Sequence, residues 1–281
     1  MKKVVFIATL ASCATGGCSL FLDTSGFSGS GPSSVADGGD DSSVANGDGG
    51  VSDSDGDLPD ADTDADADTT PVLARDSFSR TSVDELGMAE VGGSWTTAGA
   101  PTAFAVTSGA ARITLDNGST RTAKLDGVSA DDVDAQLVVT TDKVTNGTAY
   151  LSLVARTVGN AEYRCRLVID DGSAQATISR LDSNDTLTNV AVSAPLFPVT
   201  AGEAMRIRCQ ARGTAPTELR MKLWRAALAE PAAWALNASD PTPSHQAPGA
   251  VGFHFYMSGT TNGPIVVLLD DLLVRPASLL P

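Results

Sequence analysis

Residues 19–71 form a stretch that cannot build a folded core. Thirteen of the protein's 34 Asp and Glu residues lie here, all of them Asp, and the stretch contains no Lys or Arg. Asp, Ser, Gly, Ala and Thr dominate it, so it has too little apolar surface to offset the entropy of ordering the chain. We predict a disordered acidic linker over residues 19–71, which confines any compact domain to the residues after it.

The linker accounts for most of the net charge of −15. Lys2 and Lys3 stand near the N-terminus, and residues 72–281 carry 21 acidic against 17 basic side chains. The acidity therefore belongs to the linker, and the predicted domain is nearly balanced in charge. This charge balance does not suggest a nucleic acid as partner. We also expect the protein to be a monomer.

Residues 1–18 have the pattern of a bacterial export signal. Two lysines precede the apolar residues 4–10, and small residues lead from there to Cys18. The apolar run is far shorter than the ~20 residues that span a bilayer, and this order is typical of secretory signals. We predict a lipoprotein signal peptide with Cys18 as the acylated residue; acylation of Cys13 and no lipidation are the alternatives. The acyl anchor would hold the protein on a lipid membrane, at the outer membrane or cell surface.

Residues 72–281 show the alternation of apolar and polar side chains that is typical of half-buried strands. Turn residues separate the alternating runs, and no convincing amphipathic helix interrupts them. The pattern predicts an all-β domain of two packed antiparallel sheets. The predicted strands are 102–108, 111–116, 133–141, 148–156, 163–169, 175–181, 205–211, 218–224, 251–257 and 265–274.

Cys165 and Cys209 are the only cysteines of the predicted domain. The alternation in their strands turns both side chains toward the interior. Because an exported protein reaches an oxidising compartment, we predict a Cys165–Cys209 disulfide. The alternative is a pair of buried free thiols.

Several segments of the domain resemble a secreted bacterial module of the concanavalin-like, laminin-G-like jelly-roll type. They are residues 76–80 (DSFSR), 92–95 (GGSW), 148–169, 219–240, 249–257 (GAVGFHFYM) and 270–274. The resemblance implies a two-sheet jelly-roll sandwich that binds a sugar or a surface. It carries no invariant ligand motif onto residues of this chain.

Two groups of side chains alternate with the predicted core and are candidates for ligand binding. His254 and Tyr256 alternate with Phe253 and Phe255, so one of these pairs faces the core and the other is free to line a binding face. The second group is basic. If its strands share a sheet, it forms a positive surface suited to carboxylate or phosphate groups; alternatively, nearby acids neutralise it. Its members are Arg164, Arg166, Arg206, Arg208, Arg220 and Lys222.

Three carboxylates suggest a structural calcium ion. Asp76 lies in the first predicted segment of the domain, and Asp270 and Asp271 lie in the last. First and last strands commonly pair in sandwiches, which would bring these oxygen ligands together. The alternative is a solvated sheet edge, and no other cofactor is expected.

No catalytic constellation emerges from the sequence. The chain has two histidines and lacks a metalloprotease helix motif, a nucleophile elbow and a Gly-rich phosphate loop. It also lacks the closely spaced carboxylates of jelly-roll glucanases. We expect a surface-anchored, non-catalytic module that binds carbohydrate or another surface polymer. The alternatives are a structural or protein-interaction module without a small ligand and, less favoured, an enzyme acting on polysaccharides.

Overall fold

A computed structural model of the protein describes residues 71–277, which fold as a sandwich of two antiparallel sheets. The predicted signal, anchor and linker lie outside these residues. Within them, no helix is long and apolar enough to cross a membrane. The strands are β1 (Ala74–Asp76), β2 (Ser82–Val83), β3 (Trp95–Ala98), β4 (Phe104–Thr107), β5 (Ala110–Leu115), β6 (Thr120–Ala130), β7 (Val133–Thr141), β8 (Ala149–Val158), β9 (Ala161–Asp170), β10 (Ser173–Leu181), β11 (Leu187–Pro198), β12 (Ala204–Arg212), β13 (Thr217–Arg225), β14 (Leu236–Asp240), β15 (Gly249–Met257) and β16 (Ile265–Arg275).

The chain crosses repeatedly between the two sheets. The nine-stranded sheet has the order β14-β13-β12-β7-β16-β5-β4-β2, with β1 paired to β16. The seven-stranded sheet has the order β11-β10-β9-β8-β15-β6-β3. Successive strands such as β7 and β8, or β11 and β12, therefore lie in opposite sheets. This is the two-sheet, jelly-roll-like sandwich that the sequence predicts.

A single apolar core fills the space between the sheets. In β7 the buried residues Val133, Ala135, Leu137 and Val139 alternate with half-buried polar or apolar ones. A disulfide crosses this core between Cys165 of β9 and Cys209 of β12, with Cα atoms 5.7 Å apart. The predicted bridge is confirmed, and it fastens one sheet to the other.

Tight turns make β8, β9 and β10 neighbours in the sheet as well as in the sequence. Gly159, in the turn between β8 and β9, has a φ of +61°. Asp171 and Gly172 between β9 and β10 have φ values of +43° and +73°, which suit a two-residue hairpin turn. These hairpins fix the register of the strands that carry the candidate site.

All ten predicted strands are present, and β7 begins and ends at the predicted residues. The prediction missed six strands, of which β6 and β11 are the longest. The missing strands complete both sheets but change neither the fold class nor the inward side of the strands that were predicted.

Candidate binding surface

The predicted row of basic side chains does not form one surface. Arg164 and Arg166 belong to β9 of the seven-stranded sheet, whereas the other four belong to β12 and β13 of the nine-stranded sheet. Cys165 and Cys209 face each other across the core, so the residues beside them point outward from opposite sheets. The condition for a shared positive face is therefore not met, because strands with the same alternation lie on opposite sides of the sandwich. The four on the nine-stranded sheet are Arg206, Arg208, Arg220 and Lys222.

On the nine-stranded sheet, acidic residues neutralise most of this positive charge. Glu230 lies 2.6 Å from Arg208 and 2.7 Å from Lys222. Hydrogen bonding to Asp134 is the main cause that raises the pKa of Arg208, and Glu230 adds to it. Trp234 covers both cations, with its ring centroid 5.4 Å from the Arg208 guanidinium and 4.8 Å from the Lys222 ammonium. The loop before β14 therefore closes this surface with its own side chains.

The two remaining members of the predicted basic row on this sheet form other contacts. Arg206 forms an ion pair with Asp271 at 3.2 Å. Arg220 lines a separate depression together with Arg212 and Glu218. The structure thus brings neither of them to the seven-stranded sheet.

The outer face of the seven-stranded sheet carries a pair of stacked tyrosines. Tyr150 of β8 lies directly opposite Tyr256 of β15. Their ring centroids are 5.9 Å apart and their planes differ by 21°. Phe253 and Phe255 are buried, which resolves the two choices for β15: the phenylalanines form core, and His254 and Tyr256 face outward. Tyr256 is 38% exposed, so its ring is available to a ligand.

A cleft of about 320 Å³ opens beside the tyrosine pair. Its floor includes the guanidinium of Arg166, whose carbon lies 4.3 Å from the centroid of the Tyr150 ring. The edge strand β11 supplies the far side. The lining residues are Tyr150, Arg166, Leu187, Asn189 and Tyr256.

Arg166 is a desolvated cation that has no acidic partner within residues 71–277. It is 6% exposed, its Nη1 donates one long hydrogen bond of 3.4 Å to Asn189 Oδ1, and its Nε has no hydrogen-bond partner among the described residues. Burial lowers the pKa of Arg166 to about 10, and the nearby charge of Arg164 acts in the same direction. The cleft therefore contains positive charge that no acidic side chain of the described residues neutralises.

His254 of β15 belongs to a separate charged cluster that reaches across β8 to Arg164 of β9. Arg164 Nε donates to Glu162 Oε2 at 2.6 Å, and Arg164 Nη2 lies 2.8 Å from His254 Nδ1. Burial raises the pKa of Glu162, but His254 and Arg164 outweigh it, so this pKa lies below its ordinary value. Arg164 and His254 thus support the face next to the cleft and are not among its lining residues.

The three carboxylates predicted to bind calcium do not form a cation site. β1 and β16 pair as expected, with Asp76 opposite Leu272. However, Asp76 accepts both terminal nitrogens of Arg80 at 2.6 and 2.8 Å and the indole N–H of Trp95 at 2.7 Å. Its oxygens are therefore already occupied by donors. Over residues 71–277, no group of three or more His, Cys, Asp or Glu side chains is arranged to hold a metal ion.

Three of the lining residues were not predicted as site residues, namely Tyr150, Leu187 and Asn189. Tyr150 could have been considered as a candidate, because it lies in a predicted strand and is one of only three tyrosines in the protein. Its role depends on the pairing of β8 with β15, which local alternation cannot reveal. Leu187 and Asn189 lie in β11, a strand that was not predicted.

Known proteins resemble this chain in fold rather than in sequence. No family model matches it, and no curated protein matches it in sequence. An alginate lyase solved in complex with an alginate trisaccharide has a TM-score of 0.53 at 10% identity, over 74% of this chain and all of that one. An endo-acting O-glycanase of the human gut microbiota has a TM-score of 0.52 at 9% identity, over the same shares of the two chains. A carbohydrate-binding module from Bacillus subtilis, CBM66, has a TM-score of 0.46 at 14% identity, over 64% of this chain and 94% of the module. At these identities the likeness establishes the jelly-roll-like fold alone.

Proposed function

We propose that the domain is a non-catalytic module that binds a carbohydrate chain on the outer face of its seven-stranded sheet. The observation that carries this proposal is the Tyr150–Tyr256 pair at the rim of the cleft. Aromatic rings bury apolar area while keeping a polar edge in water, so they suit the C–H faces and hydroxyl groups of a sugar. The alginate trisaccharide bound to the lyase of similar fold is one precedent for this ligand class.

The composition of the cleft argues against glycoside hydrolysis. None of its lining residues is Asp or Glu, whereas glycoside hydrolysis by the common route needs two carboxyl groups. Glu162, the carboxylate on the same strand as Arg166, is held by Arg164 and His254. We propose that the module acts as a monomer, is exported, and is anchored to the outer membrane or cell surface through an acylated Cys18 or Cys13.

A protein partner is the second candidate, and one feature favours it. Leu187, Val192 and Leu196 are exposed along the edge strand β11. Exposed apolar residues on the edge strand of a sheet are a common docking feature. In that case a co-purifying protein would be lost on Val192→Lys, while glycan binding would be absent from the wild type.

Binding to a panel of neutral and acidic polysaccharides tests the first proposal, using the full chain in mild detergent. Tyr256→Ala is expected to weaken the affinity for the bound glycan about tenfold or more, as for other exposed aromatic anchors. Leu228→Ala is the matched control, because Leu228 is an exposed apolar side chain of the loop after β13, in the opposite sheet. Loss of affinity in both variants, or no binding by the wild type, would refute the proposed surface. Shortening of the polymer during the assay would refute the non-catalytic assignment.

A further inference from the structure

We infer that the sugar bound in the cleft is acidic, and that its carboxylate pairs with Arg166. This inference rests on the proposed function and names the ligand class of the same surface. It starts from two observations on Arg166. The side chain lines the cleft and is only 6% exposed. No acidic side chain among the described residues pairs with it. Two residues away, Arg164 lies 2.6 Å from Glu162, so an acidic partner is available on the same strand but serves the other arginine.

Another buried arginine, Arg156, differs from Arg166 in its terminal nitrogens, although its Nε also has no hydrogen-bond partner among the described residues. The terminal nitrogens of Arg156 donate to Thr217 Oγ1 at 2.8 Å, to the carbonyl of His245 at 3.2 Å and to that of Gly213 at 3.1 Å. They also donate to the carbonyl of Asp131. By contrast, one 3.4 Å bond to Asn189 is the only hydrogen bond of the Arg166 guanidinium within the described part of the chain. Arg166 therefore has N–H donors that form no hydrogen bond to a described residue, and it lines a cleft that a ligand can reach.

The chemistry of the cleft favours a carboxylate over a neutral hydroxyl group. The Tyr150 ring stabilises the cation through its face but does not neutralise it, and the charge of Arg164 adds to the local positive potential. A planar guanidinium matches the two oxygens of a carboxylate, and charge-assisted hydrogen bonds of this kind are stronger than neutral ones. A uronic-acid residue supplies such a group on a ring that is able to stack on Tyr256.

The test compares polygalacturonate and polyglucuronate with the same polymers after chemical reduction of their carboxyl groups, and includes dextran sulfate. Wild type is expected to bind at least one polyuronate, and carboxyl reduction is expected to weaken that affinity about tenfold to a hundredfold, the size of a charge-assisted contact. Arg166→Met is expected to lose a similar factor for the polyuronate, to leave any weak binding of the reduced polymer unchanged, and to show wild-type circular dichroism. Arg206→Met, on the opposite sheet, is expected to bind as wild type.

The outcomes separate this inference from the proposal beneath it. Equal binding of native and reduced polymers, lost in Tyr256→Ala but kept in Arg166→Met, would overturn the acidic-sugar assignment and leave carbohydrate binding in place. Binding of dextran sulfate through Arg166 without binding of a polyuronate would likewise overturn the assignment to a carboxylate. Failure of the wild type to bind any polysaccharide of the wider panel would overturn the proposed function itself.

Discussion

The guanidinium of Arg166 lies over the ring of Tyr150, 4.3 Å from its centroid, and the other partner of that ring is Tyr256 across the β8–β15 pair. Three side chains from three neighbouring strands thus form a continuous outward-facing group. The tyrosines contribute apolar surface, and the arginine contributes charge that no described acid neutralises. Because a desolvated charge costs free energy, this arrangement lowers the stability of the domain.

Replacing Arg166 with methionine should therefore stabilise the unliganded protein. The pKa of Arg166 in the folded state is lowered to about 10, so its charged form favours the unfolded state. This penalty is complete below that pH and is relieved as pH rises above it. At pH 7 we expect Arg166→Met to raise the free energy of unfolding by about 1–3 kcal/mol, as when a costly buried charge becomes an apolar contact. Urea denaturation measures the change.

The ion-paired Arg206 gives the control for that measurement. Arg206→Met removes a partly exposed pair with Asp271 and should change the free energy of unfolding by less than about 1 kcal/mol. If Arg166→Met is less stable than wild type, contacts with Tyr150 and Asn189 outweigh the desolvation of the cation.

The disulfide should contribute more to stability than any one surface contact. Cys165 and Cys209 are 44 residues apart in sequence and join opposite sheets, so the bridge restricts the unfolded chain strongly. We expect the double variant Cys165→Ala, Cys209→Ala to lose about 2–4 kcal/mol of unfolding free energy. Wild type measured in reductant should fall to a similar value, whereas reductant should not affect the double variant. A non-reduced proteolytic digest in which mass spectrometry finds Cys165 and Cys209 on separate peptides would contradict this expectation.

Local alternation was enough to predict the strands whose two faces differ in polarity. In β9, for example, Cys165 and Leu167 alternate with Arg164 and Arg166, and the buried and outward sides follow directly. β6 escaped prediction because Gly127 and several polar residues interrupt its alternation. β11 escaped because it is an edge strand with many exposed side chains, including the prolines at 195 and 198, which edge strands tolerate.

The candidate site was harder to predict, because it depends on which strands become neighbours. Tyr256 was recognised from its alternation with Phe255, but Tyr150 joins it only through the pairing of β8 with β15. Arg166 and Arg208 looked equivalent in sequence. They differ because the loop before β14 brings Glu230 and Trp234 to Arg208, whereas Arg166 faces the cleft.

Glu162, in the charged cluster with Arg164 and His254, should make a pH-dependent contribution to the stability of the folded protein. His254 and Arg164 hold the pKa of this carboxyl below its ordinary value despite burial. Because the pKa of Glu162 is lower in the folded state than in the unfolded state, its ionised carboxylate stabilises the folded protein. This contribution is complete above the unfolded-state pKa of ~4.3, and it decreases as pH falls through the folded-state pKa. Glu162→Gln should therefore lower the free energy of unfolding at pH 7 by about 1–3 kcal/mol, the scale of hydrogen bonds to a charged group, and the deficit should shrink below pH ~4. Urea denaturation across this range measures it, with Asp185→Asn in the exposed β10–β11 loop as the control. A deficit that stays constant down to the lowest pH at which the protein folds would show that packing, and not the carboxylate charge, stabilises this position.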